Sequence, residues 1–207
     1  MIDQIALPFA WPADEDERDF IVSDANQVAV RHLEHWSLWP VMATILTGPR
    51  KSGRSLLGRI FAAKTGGRFV DNADAHDEEA LFHAWNAAQA EHRPLLLVAD
   101  LPPAKWRIRL PDLRSRLLAS PHVAIEEPDF PLMTGLVEKL LQARGLVARP
   151  EVVRYVVPRI ERSYIGIGRI VDALDEAALA RRRSITMAVA REALAAIGVT
   201  EDTYRLL

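Results

Sequence analysis

Apolar residues along the chain come in two textures. Up to about residue 128, short apolar runs alternate with longer segments in which apolar residues recur every three or four positions. The short runs are Val41–Thr47 and Leu95–Val98, whose length predicts buried strands, and Phe69-Val70 and Val123-Ala124-Ile125, which predict brief ones. Between them the spacing predicts helices. One is opened by Ser23 or Asp24 and carries Val28, Val30 and Leu33. The next sets Leu56, Leu57, Ile60 and Phe61 on one face and stops at Gly66-Gly67. A third covers residues 77–91, where Asp77, Glu78 and Glu79 suit the positive end of the helix dipole.

Beyond Pro128 only the helical period remains. Leu132, Leu136, Leu140 and Leu141 mark one helix, and Val152, Val153 and Val156 a second that must kink at Pro158. Ile170, Leu174 and Leu179 mark a third, and Ser184-Ile185-Thr186 opens a fourth that ends near Gly198. Alternating strands and helices followed by helices alone predict an α/β domain with a parallel sheet and a small all-α domain behind it. Residues 1–19 read as a tail, in which Asp14, Glu15, Asp16 and Glu17 form a solvated acidic run. The expected division is therefore 1–19, 20–128 and 129–207.

Composition narrows the classes. A chain of 207 residues with 49% hydrophobic content can bury one core and a small satellite. A net charge of −2 speaks against binding nucleic acid mainly through phosphates. With no cysteine, disulfides, thiolate catalysis and cysteine metal sites are excluded. The start is acidic where a signal peptide would be basic, and no apolar run approaches the roughly 20 residues needed to span a bilayer. The expectation is a soluble cytoplasmic protein with no membrane partner.

The segment Gly48-Pro49-Arg50-Lys51-Ser52-Gly53-Arg54-Ser55 matches the phosphate-loop pattern G-x-x-x-x-G-K-[ST] at all but one position, where Arg54 replaces the lysine. The loop lies between a predicted strand and a predicted helix, as phosphate binding requires. Gly48 and Gly53 let backbone N–H groups wrap a phosphate, and Ser55 is a candidate Mg²⁺ ligand. A planar guanidinium is no simple substitute for a compact ammonium against the β- and γ-phosphates. Lys51 is the alternative ammonium within the loop. ADP or ATP with Mg²⁺ is the candidate cofactor, and a plain Gly-Pro turn with no cofactor is the competing reading.

From Phe20 to Leu194, about 175 residues, the order of motifs resembles the AAA+ and lid parts of the DnaA/Hda family of replication-initiator relatives. Phe69-Val70-Asp71-Asn72-Ala73-Asp74 resembles the Walker B strand, which implies Asp71 as a Mg²⁺ ligand. Leu95–Asp100 with Pro102-Pro103 resembles the sensor-1 strand and its Asp-x-Pro-Pro exit, which puts Asp100 at the nucleotide sensor. Leu113-Arg114-Ser115-Arg116-Leu117 resembles the box carrying the arginine finger, with Arg116 as the finger. The family's fold implies an AAA+ parallel-sheet sandwich followed by an all-α lid. Only about 15 residues separate Ser55 from Asp71, so an edge strand is expected to be deleted, leaving four. The lid arginine of the family falls on Gly168, with Arg169 beside it as a substitute. These departures make efficient ATP turnover unexpected.

Gln4-Ile5-Ala6-Leu7-Pro8-Phe9 resembles the short peptide that docks on the DNA sliding clamp, the beta subunit of DNA polymerase III. Gln4 would make polar contacts, and Leu7 and Phe9 would be apolar anchors; alternation of Ile5, Leu7 and Phe9 is also that of an edge strand. The chain stops where the family continues into its DNA-reading domain, so no direct sequence-specific DNA binding is expected. The resemblance implies a regulator that docks on the clamp and promotes inactivation of DnaA-ATP through Arg116, which should then matter little to folding. An inactive interaction module with a vestigial or ADP-only P-loop is the alternative. His32 and His35, Arg181-Arg182-Arg183, and Asp172 with Asp175 read as surface or helix-end residues without chemistry of their own.

Overall fold

The computed structural model describes residues 20–181 and 184–199. Gln4, Leu7 and Phe9 lie outside the described residues, as do Arg182 and Arg183. Four strands, β1 (Ala43–Thr47), β2 (Arg68–Val70), β3 (Leu95–Val98) and β4 (His122–Ala124), form one parallel sheet in the order β2-β3-β1-β4. All four expected strands are present, and the sheet has the four that the short spacing between Ser55 and Asp71 implies.

Helices cover both faces. On one side lie α1 (Gln27–Glu34) and α2 (Arg54–Thr65), and on the other α3 (Glu78–Glu91) and α4 (Pro111–Ala119). Strand alternation sorts the core accordingly. Leu46, Leu96 and Val98 pack with Leu57 and Phe61, whereas Ala43, Ile45, Leu95 and Leu97 pack with Leu81, Ala88, Leu113 and Leu117. Burial on both faces is why β1 and β3 are wholly apolar or hydroxyl-bearing, with no polar outer edge.

Four further helices follow: α5 (Phe130–Ala143), α6 (Pro150–Val156), α7 (Tyr164–Arg181) and α8 (Met187–Ala196). Met133, Val137, Val153, Ile170, Leu174 and Val189 meet in a separate apolar core. The α6 helix ends before Pro158 and passes into a 3₁₀ turn over Val157–Arg159, because a proline cannot donate to the preceding turn. Tyr164 and Leu132 tie this bundle to the first domain, and the Tyr164 hydroxyl donates to the Glu126 carbonyl at 3.1 Å.

Two expectations change, and one helix is found that the spacing does not predict. The first helix starts at Gln27, not at Ser23 or Asp24, because Asn26 bridges the preceding turn: its amide donates to the Ile21 carbonyl and its oxygen accepts from Ser23 N–H. Val28 therefore faces solvent at 67% exposure, and Ala29 and Leu33 make the buried face. Leu179 is likewise 73% exposed and not part of the bundle core. Finally, α4 carries only Leu113 and Leu117 inward, too few for periodicity to announce it, and is set by Pro111 at its first turn.

Candidate functional site

The P-loop joins β1 to α2, and its backbone is tightly specified. Gly48 sits at φ +151°, and a Cβ there would lie 2.7 Å from the Ile125 carbonyl oxygen, so only glycine fits. Gly53, at φ +87°, precedes α2 and faces the Phe20 ring. Lys51 also adopts a left-handed conformation, at φ +67°, and is exposed. Such a conformation costs a side-chain-bearing residue about 1–2 kcal/mol. The loop is thus held open by its fold at some local expense.

Because β1 and β3 are neighbours in register, the exits of both strands meet, and the P-loop arrives beside Asp100. Arg54 spans the gap. Its guanidinium donates to the Ala99 carbonyl and to Asp100 Oδ1, the latter at 2.5 Å, and only 10% of its side chain is exposed. Arg50 takes the other carboxylate oxygen at 3.2 Å from the solvent side. The hydrogen bond from Arg54, then its charge, and then Arg50 hold the Asp100 carboxyl below the usual carboxylate range, against the opposing pull of partial burial.

Ser52 Oγ is buried with no hydrogen-bond partner among the described residues. An orphaned hydroxyl within a glycine-bounded loop at a helix N-terminus is the kind of group a phosphate oxygen would satisfy. The loop therefore suits an anion. It does not supply the cation that a triphosphate needs at the lysine position, since Arg54 is committed to Asp100. Ser55 is half-buried at the start of α2. Asp71 follows β2, separated from the P-loop strand by β3, and its carboxylate accepts from Asn72 N–H at 3.0 Å. Arg169 is exposed on α7, and Gly168 faces open space. Among the described residues no group of three or more His, Asp or Glu side chains is arranged to hold a metal.

A second cluster surrounds Arg116 on α4. Its guanidinium lies over both the Phe82 and Trp85 rings, 4.7 Å from each centroid, and donates to Asn86 Oδ1. All three partners belong to α3. The Trp85 indole donates to Ser120 Oγ, which in turn donates to the Arg116 carbonyl, so the two helices are pinned at this point. Arg116 is thus anchored by its own chain, a role that the motif alone does not reveal. Elsewhere, Asp172 and Asp175 hold Arg144, at 2.5 and 3.7 Å, and are structural. His32 is not on a solvated face: its Nε2 lies 2.8 Å from Thr44 Oγ1 and its ring stacks on Trp39. His35 is exposed.

The family model for the Hda lid domain matches residues 136–194, which spans the end of α5 through α8. The chain is a DnaA/Hda-like AAA+ protein. It is 27% identical over 94 residues to the chromosomal replication initiator DnaA of Borreliella afzelii, covering 42% of this chain and 19% of the initiator. The chain thus spans about a fifth of the length of that curated relative. Domain III of Thermotoga maritima DnaA superposes with a TM-score of 0.72 at 13% identity, covering 89% of this chain and 97% of that domain. AMPPCP-bound DnaA from Aquifex aeolicus superposes at 0.58 and 18% identity, covering 80% of this chain and 67% of that one. These likenesses make the fold that of an AAA+ module. Among the described residues, no helix is long and apolar enough to cross a membrane.

Proposed function

We propose that this DnaA/Hda-like protein regulates replication initiation by docking on the sliding clamp and promoting hydrolysis of ATP held by DnaA. The observation that carries this reading is the commitment of Arg54 to Asp100. With its own P-loop cation engaged internally, the chain is a poor ATPase, and the reaction belongs in a partner's site. Arg116 is the residue offered to that site, where a guanidinium would stabilise charge developing on the transferring phosphoryl group. To act there it must leave Phe82, Trp85 and Asn86. Leu7 and Phe9 are the anchors for the clamp and Gln4 the polar contact. The P-loop itself would take an anion such as the diphosphate of ADP against its backbone and Ser52, with Lys51 nearby. Asp71, Ser55 and Arg169 are the remaining candidates for nucleotide or Mg²⁺ contacts.

The test is a reconstituted assay of DnaA-ATP hydrolysis with the clamp loaded on DNA. The unaltered protein should accelerate hydrolysis while turning over little ATP alone. Arg116→Ala should abolish the acceleration with clamp binding intact, and Leu7→Ala with Phe9→Ala should abolish both. Equal acceleration by all three proteins would sink the proposal. The caging of Arg116 favours a second reading, an interaction module that never presents a finger. That reading predicts binding to DnaA without acceleration by any of them.

A further inference from the structure

Between Lys105 and Arg116 the chain carries five cations against one acid, Asp112, although its net charge is −2. The cations are not scattered. Trp106, Ile108 and Leu110 pack inward on the apolar layer beneath α3 and α4, which turns Arg107 and Arg109 outward. The alternation comes from this packing and sets both guanidinium groups on one side of the segment. Lys105 and Arg114 are exposed as well, and among the described residues none of these four makes an ion pair.

The backbone that carries them is fixed. The Glu78 carboxylate, in the first turn of α3, accepts from Arg109 N–H at 2.9 Å and from Leu110 N–H at 2.7 Å. The Trp106 indole donates to the Leu101 carbonyl at 2.6 Å. A carboxylate spent on backbone amides anchors the segment while leaving the arginine side chains unneutralised. Arg114 and Leu118 lie four apart on α4 and so share a face, and Leu118 is 52% exposed.

We infer that Arg107, Arg109 and Arg114 form a docking ridge for an acidic protein surface, carried by the same partner whose nucleotide site receives Arg116. The inference rests on the proposed function. A protein partner fits better than a nucleic acid for two reasons. The aromatic side chains here, Phe82, Trp85 and Trp106, pack on the core, and Arg116 already covers the first two, which leaves little ring face to stack bases. The ridge is flanked by exposed Leu118, and arginine beside apolar contact is the mixture that protein interfaces favour. Lying on the segment that leads into α4, the ridge would orient the partner against the finger helix and speed their encounter.

The experiment measures binding of purified DnaA-ATP, and separately of a fluorescent oligothymidylate, to the full chain and to three variants. Arg107→Glu with Arg109→Glu should weaken DnaA binding by about tenfold or more at low salt, a gap that narrows at high salt. Arg107→Lys with Arg109→Lys should bind nearly as the parent does, which separates charge from shape. Arg114→Glu should give a smaller loss. Unchanged melting curves would show that these exposed substitutions leave the fold alone. If the parent binds DnaA and charge reversal does nothing, the ridge is wrong and the functional proposal stands. If reversal abolishes oligothymidylate binding alone, the ridge is a nucleic-acid surface and the inference is overturned. If the parent does not bind DnaA at all, the functional proposal and the ridge fall together.

Discussion

The two motif-bearing ends of the AAA+ module treat arginine in opposite ways. At the P-loop end, Arg54 and Arg50 both close on Asp100, so the covered Arg54 guanidinium is paired with a carboxylate within one exit of the sheet. On the other side of the sheet, the segment Lys105–Arg116 carries five cations against one acid, Glu78 is spent on backbone amides, and Arg116 is held by aromatic rings and an amide rather than by a carboxylate. A guanidinium paired with a carboxylate is neutralised in place. One held by rings and a neutral amide keeps its full charge and gives up less on leaving. The first arrangement suits a structural pin, the second a residue that changes partners.

The largest effects should come from breaking the pin. Asp100→Ala leaves Arg54 nine-tenths covered without its counter-charge, and the expected loss is about 2 kcal/mol, because Asp100 is itself partly solvated. Urea unfolding of Asp100→Ala, Arg54→Met and the double variant should reveal coupling of about 1 kcal/mol, the double losing less than the sum. Strictly additive losses would dissolve the pin. The pair also has a pH signature. Asp100 is ionised more readily in the folded chain than in the unfolded one, so its contribution is complete above the ordinary carboxylate pKa of about 4. It disappears as pH falls through the lower folded value, and Asp100→Ala should flatten this part of the stability profile.

A middle-sized effect sharpens the other side of the comparison. Arg116→Ala should lower stability by about 1 kcal/mol, from two ring contacts and one amide hydrogen bond. Trp85→Leu should loosen the same residue while sparing its charge. If Arg116 acts as proposed and the cage holds it back, thermal melting of Trp85→Leu will show a loss while its acceleration of DnaA hydrolysis rises above the parent's. A fall in both would make the cage a support for the finger.

The smallest effect involves neither arginine side chain. The Thr44 hydroxyl donates to the Pro121 carbonyl at 2.9 Å, so His32 Nε2 must be the donor to Thr44 Oγ1. Burial lowers the His32 pKa, and the unfolded chain takes up its proton first as pH falls. Stability is therefore complete above about 6.5 and declines as pH drops through the folded value. His122 is lowered for the same reason and acts in the same direction. The melting temperature should drift down from neutral to mildly acidic pH, and His32→Leu should reduce the drift. An equal drift in the variant would remove His32 as its source.

Much of this protein is determined by its sequence locally. Runs such as Leu95–Val98 can be buried on both faces only in a covered parallel sheet, and Gly66, Asp77 and Pro158 mark helix ends through φ, capping and a missing donor. The four strands were legible as four short apolar runs, and the resemblance to the family implied a missing edge strand because so few residues separate Ser55 from Asp71. The turn between β1 and α2 was legible from Gly48 and Gly53, which both adopt positive φ. What Arg54, Arg116 and His32 touch was not legible, because each partner lies on another element: Asp100 after β3, Phe82 and Trp85 on α3, Thr44 in β1. Spacing along a chain reports which residue types recur and where the backbone must turn. Which charge meets which carboxylate, ring or carbonyl is decided only when strand order brings the exits of β1 and β3 together and packing lays α4 on α3, since those contacts join residues 30 to 46 positions apart.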